Sequence, residues 1–177
     1  MTYAINLYFD GKSERAIQHI WDELAKDETS TYMVEIDSRP HITLTIYHDI
    51  DINDFEKRFT QFTNTTHSIE IKCNYIGVFP KNKGTVFLAP TMTDNLMKMH
   101  RDFHHLFEDY GNQEWDYYKS NCWFPHCTIS NETSDEVVPE IIRRVLNIFQ
   151  PMKIRIESIG IVKLYPIKYL KEQKLID

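Results

Sequence analysis

The chain is poor in cysteine. Its 177 residues include three, Cys73, Cys122 and Cys127, an odd count with no Cys-x-x-Cys pair. That excludes a disulfide scaffold and fits a reducing, cytoplasmic setting. Glycine and proline are also scarce, at five and seven residues, too few for a disordered or fibrous chain. Positive charge is not in excess. The formal net charge of −6 argues against a broad electrostatic grip on duplex nucleic acid, although a local cationic pocket for a small phosphorylated ligand remains open. No apolar run approaches the ~18 residues of a membrane span. The amino terminus, Met1 to Leu7, has no basic segment ahead of a long apolar run, so neither a signal peptide nor a membrane partner is expected. What is present is 42% hydrophobic residues, enough for a real core. The length suits one domain spanning residues 1–177, with room for two small lobes sharing that core.

One short pattern occurs twice. Residues 39–46 read Arg-Pro-His-Ile-Thr-Leu-Thr-Ile, and residues 124–130 read Phe-Pro-His-Cys-Thr-Ile-Ser. Both contain Pro-His-x-Thr-aliphatic. In an extended strand, residues two apart share a face. His41, Thr43 and Thr45 are therefore expected on one face, with Ile42, Leu44 and Ile46 behind them. His126, Thr128 and Ser130 form the second such face, with Cys127 and Ile129 behind. Proline is tolerated at the start of a strand, so both copies begin alike.

The remaining elements follow from periodicity. A strand over 3–9 ends at Asp10-Gly11. A helix with Ser13 as N-cap carries the stripe Ala16, Ile17, Ile20, Trp21 and Leu24. After the first motif strand, Phe55, Phe59 and Phe62 mark a short helix. A strand over 68–79 places Ile69, Ile71, Cys73 and Tyr75 on one face. Residues 80–84 make a hairpin connection to a strand over 85–89. A helix over 93–110 is closed by Gly111-Asn112, and a loop over 113–121 leads to the second motif. A helix with Pro139 in its first turn and a strand over 153–164 complete the order, and the charged carboxyl-terminal residues are expected to fray. Helix, motif strand, helix and strand thus occur twice. An internal duplication, folded as two sheets facing a cleft with helices outside, is the economical reading.

Two imidazoles and several hydroxyls facing one groove suit proton transfer at phosphorus. One neutral histidine takes a proton from water or a sugar hydroxyl, and the other, protonated, gives one to the leaving oxygen. The threonine hydroxyls donate to non-bridging phosphate oxygens as charge develops. The paired motifs His41-Ile42-Thr43-Leu44 and His126-Cys127-Thr128-Ile129 resemble the hallmark of the 2H phosphoesterase superfamily, in its 2′-5′ RNA ligase-like, cyclic phosphodiesterase branch. The likeness extends to Gly77-Val78-Phe79-Pro80 and Gly84-Thr85-Val86-Phe87-Leu88. It implies a bilobal, pseudo-twofold α+β fold. It also implies hydrolysis without metal or other cofactor, or reversible ligation, at 2′,3′-cyclic or 2′-5′-linked ribose phosphates. Carried over by position, His41 and His126 are the acid–base pair, and Thr43 and Thr128 bind phosphate. Arg39, beside the first motif, is the best candidate for extra positive charge. The expected partner is a small phosphorylated nucleotide or an RNA end.

Other residues carry weaker signals. His100 and His104 have the i, i+4 spacing of a zinc pair but no carboxylate between them in the zincin pattern, so a surface or half-buried helix face is the expectation. Tyr47, Phe79, Trp123 and Tyr165 lie at motif or strand ends, where any one could stack on a base, although core packing is the default. The rival to catalysis is a non-catalytic protein that binds a nucleotide or RNA end in the same cleft.

Overall fold

The computed structural model describes residues 1–177. In chain order its elements are β1 (Thr2–Phe9), α1 (Gly11–Lys26), α2 (Tyr32–Glu35), β2 (His41–His48), α3 (Ile52–Thr63), β3 (Ile69–Val78), β4 (Val86–Pro90), α4 (Asp94–Leu106), β5 (Cys127–Ser130), α5 (Val138–Ile148), β6 (Met152–Leu164) and β7 (Lys168–Lys174). Short 3-10 turns cover Glu108–Tyr110, Asp116–Tyr118 and Asp135–Val137. The fold is α+β, with a large antiparallel sheet and helices packed on it. No helix is long and apolar enough to cross a membrane.

The local signals act as physics dictates. Asp10, not Ser13, caps α1, because its carboxylate accepts from the amides of Lys12 and Ser13. Asp51 caps α3 in the same way, and Thr93 caps α4. The stripes of α1 and α3 bury Ile17, Ile20, Trp21 and Leu24, and Phe55, Phe59 and Phe62. Phe55 stacks on Phe107 at 4.3 Å, and Phe107 on Phe103 at 4.5 Å, joining α3 to α4 through aromatic rings.

The two sheets expected from the duplicated order are one hydrogen-bonded, seven-stranded sheet, ordered β2-β1-β6-β3-β4-β5, with β7 also on β6. Strand β6 is the joint. Its residues 156–164 pair with β1 along one edge. The opposite edge is divided between β3, at 152–156, and β7, at 158–163. The carboxyl-terminal residues therefore do not fray. They supply the partner that this stretch of β6 would otherwise lack. The two motif strands, β2 and β5, are the ends of the strand order, and the sheet brings them near each other.

Candidate active site

Both motif strands carry the same irregularity. Strand β2 pairs Thr43 with Asn6 but Thr45 with Ile5, so Leu44 is an extra residue. Strand β5 pairs Thr128 with Phe87 but Ser130 with Val86, so Ile129 is extra. A β-bulge one residue after the motif threonine is thus part of the duplicated unit. It corrects the expectation that each motif face carries its histidine with two hydroxyls. Thr45 and Ser130 are fully buried and leave the motif face. Thr45 Oγ1 donates to Glu114 Oε1 at 2.6 Å, and the Ser130 hydroxyl accepts from Ser30 Oγ at 2.9 Å.

The two histidines are held alike. His41 Nδ1 is 2.5 Å from the Arg39 carbonyl, and His126 Nδ1 is 2.8 Å from the Phe124 carbonyl. A carbonyl only accepts, so Nδ1 carries the proton in both rings and Nε2 is left free of protein partners. The residue two before each histidine sets this tautomer through its backbone. Burial pushes His41 down from 6.5 to about 4, and the neighbouring charges of His126 and Arg39 act in the same direction, against the bond to the Arg39 carbonyl. Burial also lowers His126. Both rings are therefore neutral near pH 7 in the free chain. The thiol of Cys127, behind the second motif, lies against the backbone amide of His41, and burial drives its ionisation well upward. It is a packing contact between the strands.

Two tryptophans tie the motif strands crosswise. Trp21, on α1, donates its indole N–H to the Thr128 carbonyl at 3.1 Å, and Trp123, just ahead of β5, donates to the Thr43 carbonyl at 3.0 Å. Trp123 stacks on His100 at 4.1 Å, so this candidate base platform is buried structure. His100 is fully buried, donates from Nε2 to the Tyr118 carbonyl, and is pushed down to about 3 by burial. His104 bonds to the His100 carbonyl and to Glu114. The i, i+4 pair is thus a buried hydrogen-bonding support behind β2, and no group of three or more His, Cys, Asp or Glu side chains is arranged to hold a metal ion.

Arg39 is not an unpaired cation at the cleft. Its Nε and Nη2 bond both oxygens of Glu14 at 3.0 Å, Nη1 bonds Glu172 at 2.8 Å, and the guanidinium lies 4.3 Å over the Tyr8 ring. Two carboxylates already offset its charge. The sequence near the motif could not show this, because both partners are distant in the chain.

The halves differ in what surrounds their histidine. Beside His41 and Thr43 the cross-strand neighbours on β1 are Tyr8 and Asn6. Next to them on β6 are Ser158 and Gly160, and Ser158 bonds Glu172. Beside His126 the surroundings are apolar. Phe79 and Phe87 approach its ring at 4.9 and 5.3 Å, and Phe124 meets Phe87 at 5.7 Å. From there an open groove of about 460 Å³ runs along β3 and β4, lined by Tyr75, Val78, Phe87, Met92 and Phe124 among others, with no charged side chain. Gly77 allows it, because a Cβ there would stand 2.3 Å from the Phe87 ring. Tyr75 was expected to face with Cys73, but a register slip between them turns it out to 55% exposure in the groove. Of the other aromatic candidates, Tyr47 is core and Tyr165 is exposed on the β6–β7 turn.

This fold is shared with several solved structures. TT0787 of Thermus thermophilus superimposes with a TM-score of 0.68 at 10% identity, covering 99% of this chain and 98% of that one. Escherichia coli LigT complexed with 3′-AMP gives 0.62 at 10%, covering 99% and 98%. A structure described as a phosphoesterase gives 0.63 at 12%, covering 99% of each. A search of curated proteins finds no match. The chain belongs to the 2′-5′ RNA ligase superfamily, the 2H phosphoesterases, whose family pattern matches residues 9–165.

Proposed function

We propose that the protein is a phosphodiesterase that opens 2′,3′-cyclic phosphates of small nucleotides or RNA ends by two-histidine acid–base catalysis. The observation that carries this reading is the matched pair His41 and His126, on strands brought together from opposite ends of the sheet, each with Nδ1 locked and Nε2 free. One neutral Nε2 removes a proton from water as its oxygen attacks phosphorus. The P–O bond to ribose breaks on the opposite side, and the second imidazole, protonated, gives its proton to the leaving oxygen. The net result is addition of one water and a ribose phosphomonoester.

A phosphodiester anion between the rings favours protonation of one of them, which supplies the acid that the free chain lacks near pH 7. Thr43 and Thr128 donate to the non-bridging oxygens. Arg39, with its charge compensated, serves through its carbonyl, which orients His41. The uncharged groove beside His126 suits a nucleobase, a flat group with a π-face, better than a continuing phosphate backbone. LigT has been crystallised with 3′-AMP, phosphate, ATP and NADP+, ligands of the size this reading requires.

The test is turnover of adenosine 2′,3′-cyclic phosphate, with chelator present, by the unmodified chain and by His41→Ala and His126→Ala. Ring opening that is lost in both variants supports the reading. Binding without turnover by the unmodified chain would favour a non-catalytic nucleotide binder.

A further inference from the structure

Two polar atoms beside the first motif lack a well-formed hydrogen bond in the protein. Asn6 Oδ1 and the Tyr8 hydroxyl are buried without one, although the Asn6 side chain comes close enough to Tyr8 to favour its ionised form slightly. Both residues are more than nine-tenths buried, at 5% and 1% exposure. They are two apart on β1, so they share a face, and that face carries the motif: Asn6 is paired with Thr43 and Tyr8 with His41. The Tyr8 ring meets the His41 ring edge-on at 6.3 Å. Ile5 and Leu7, between and beside them, go to the core. An unmade hydrogen bond at a buried polar atom is a net cost to the fold, and an apolar residue of the same shape would avoid it. The equivalent places in the second half show that alternative. There Phe87 pairs with Thr128, where Asn6 pairs with Thr43.

We infer that Asn6 and Tyr8 bind the ribose oxygens of the substrate and product on the His41 side of the cleft, which makes them substrate-binding residues. This rests on the two-histidine reading and adds an orientation to it: sugar oxygens toward β1, base toward the groove beside Phe124. The two orphan atoms have complementary uses. Burial outweighs the nearby Asn6 side chain and holds the Tyr8 phenol in its protonated form, so its O–H is a donor for a ribose oxygen. Asn6 Oδ1 is an acceptor and needs a hydroxyl. A 2′,3′-cyclic phosphate has neither a 2′- nor a 3′-hydroxyl, and opening the ring creates one. The Asn6 acceptor therefore gains its partner as the leaving oxygen takes up its proton, an interaction stronger late in the reaction than in the bound substrate.

The experiment uses Tyr8→Phe and Asn6→Leu, which keep size and remove the polar atoms. Thermal midpoints should stay level or rise, because each change deletes an unpaired buried group. With adenosine 2′,3′-cyclic phosphate, kcat should fall at least tenfold in Asn6→Leu with little change in KM, and kcat/KM at least fivefold in Tyr8→Phe. Binding of 2′-AMP and 3′-AMP should weaken in both variants, while inhibition or binding by inorganic phosphate stays unchanged. Lower thermal midpoints with unchanged kinetics and nucleotide binding would overturn the inference and leave both residues structural. If the unmodified chain turns over no cyclic nucleotide, the nucleotide monophosphate arm still decides. Selective loss of 2′- and 3′-AMP binding supports the ribose contacts even though the catalytic reading has failed, and equal binding by variants and unmodified chain refutes them.

Discussion

Changing pH across the His41 titration is a perturbation whose size the structure sets. The folded chain holds this ring neutral down to about 4, whereas the unfolded chain protonates it near 6.5. Between those values the unfolded state binds more protons. The contribution of His41 to stability is therefore complete above pH 6.5 and is lost as pH falls toward 4. The full difference corresponds to ~3 kcal/mol, and partial exposure of the ring brings the expected value to ~2 kcal/mol. Urea unfolding at pH 7 and pH 4 measures it in the unmodified chain and in His41→Gln. The variant should lose ~2 kcal/mol less than the unmodified chain over this interval, and the comparison cancels His126 and His100, which are lowered in both proteins. NMR titration of the ring gives the midpoint directly, and His126→Asn should raise it because one like charge is gone. A midpoint at or above 6.5, or equal acid losses in both proteins, would refute the claim that burial and His126 together keep His41 neutral.

Three further outcomes are expected. Arg39→Met should cost ~1–2 kcal/mol of stability, since it leaves Glu14 and Glu172 without their shared partner, yet change nucleotide KM less than about threefold; a much larger KM in a folded variant would show that the guanidinium meets the phosphate. Trp123→Phe deletes the indole N–H that holds the Thr43 carbonyl, and should lower stability by ~1 kcal/mol and kcat by ~10-fold, read by urea unfolding and steady-state kinetics. Tyr75→Ala should leave stability within ~0.5 kcal/mol, because the ring is mostly exposed, while raising KM for adenosine 2′,3′-cyclic phosphate ~5-fold or more and leaving a base-free ribose cyclic phosphate unaffected.

The duplicated His-x-Thr pattern was legible because strand alternation places His41 with Thr43, and His126 with Thr128, whatever the distant contacts are. The amphipathic stripes of α1 and α3 were legible for the same local reason. What alternation could not show were the interruptions to it. The bulges at Leu44 and Ile129 bury Thr45 and Ser130, and the slip near Asn74 exposes Tyr75. Each depends on the pairing partner, which no local pattern encodes. The charged stretch Lys168–Lys174 reads as a tail until β6 is known to have an edge that needs it. Arg39 shows the same limit for charge, since its two carboxylate partners are far away in sequence. Asn6 and Tyr8 were missed because a polar residue in a strand is ordinary, and only the lack of a well-formed hydrogen bond at their buried atoms marks them.

The central claim is that His41 and His126 act as one pair on one substrate. The most direct test is single-turnover opening of adenosine 2′,3′-cyclic phosphate by His41→Ala, His126→Ala and the double variant, with folding checked by circular dichroism. Residues that work as a unit are strongly non-additive. Each single variant should lose at least ~10³-fold in rate, and the double variant should be slower than either by less than about tenfold. A single variant that keeps most of the rate, or losses that multiply in the double variant, would contradict that claim.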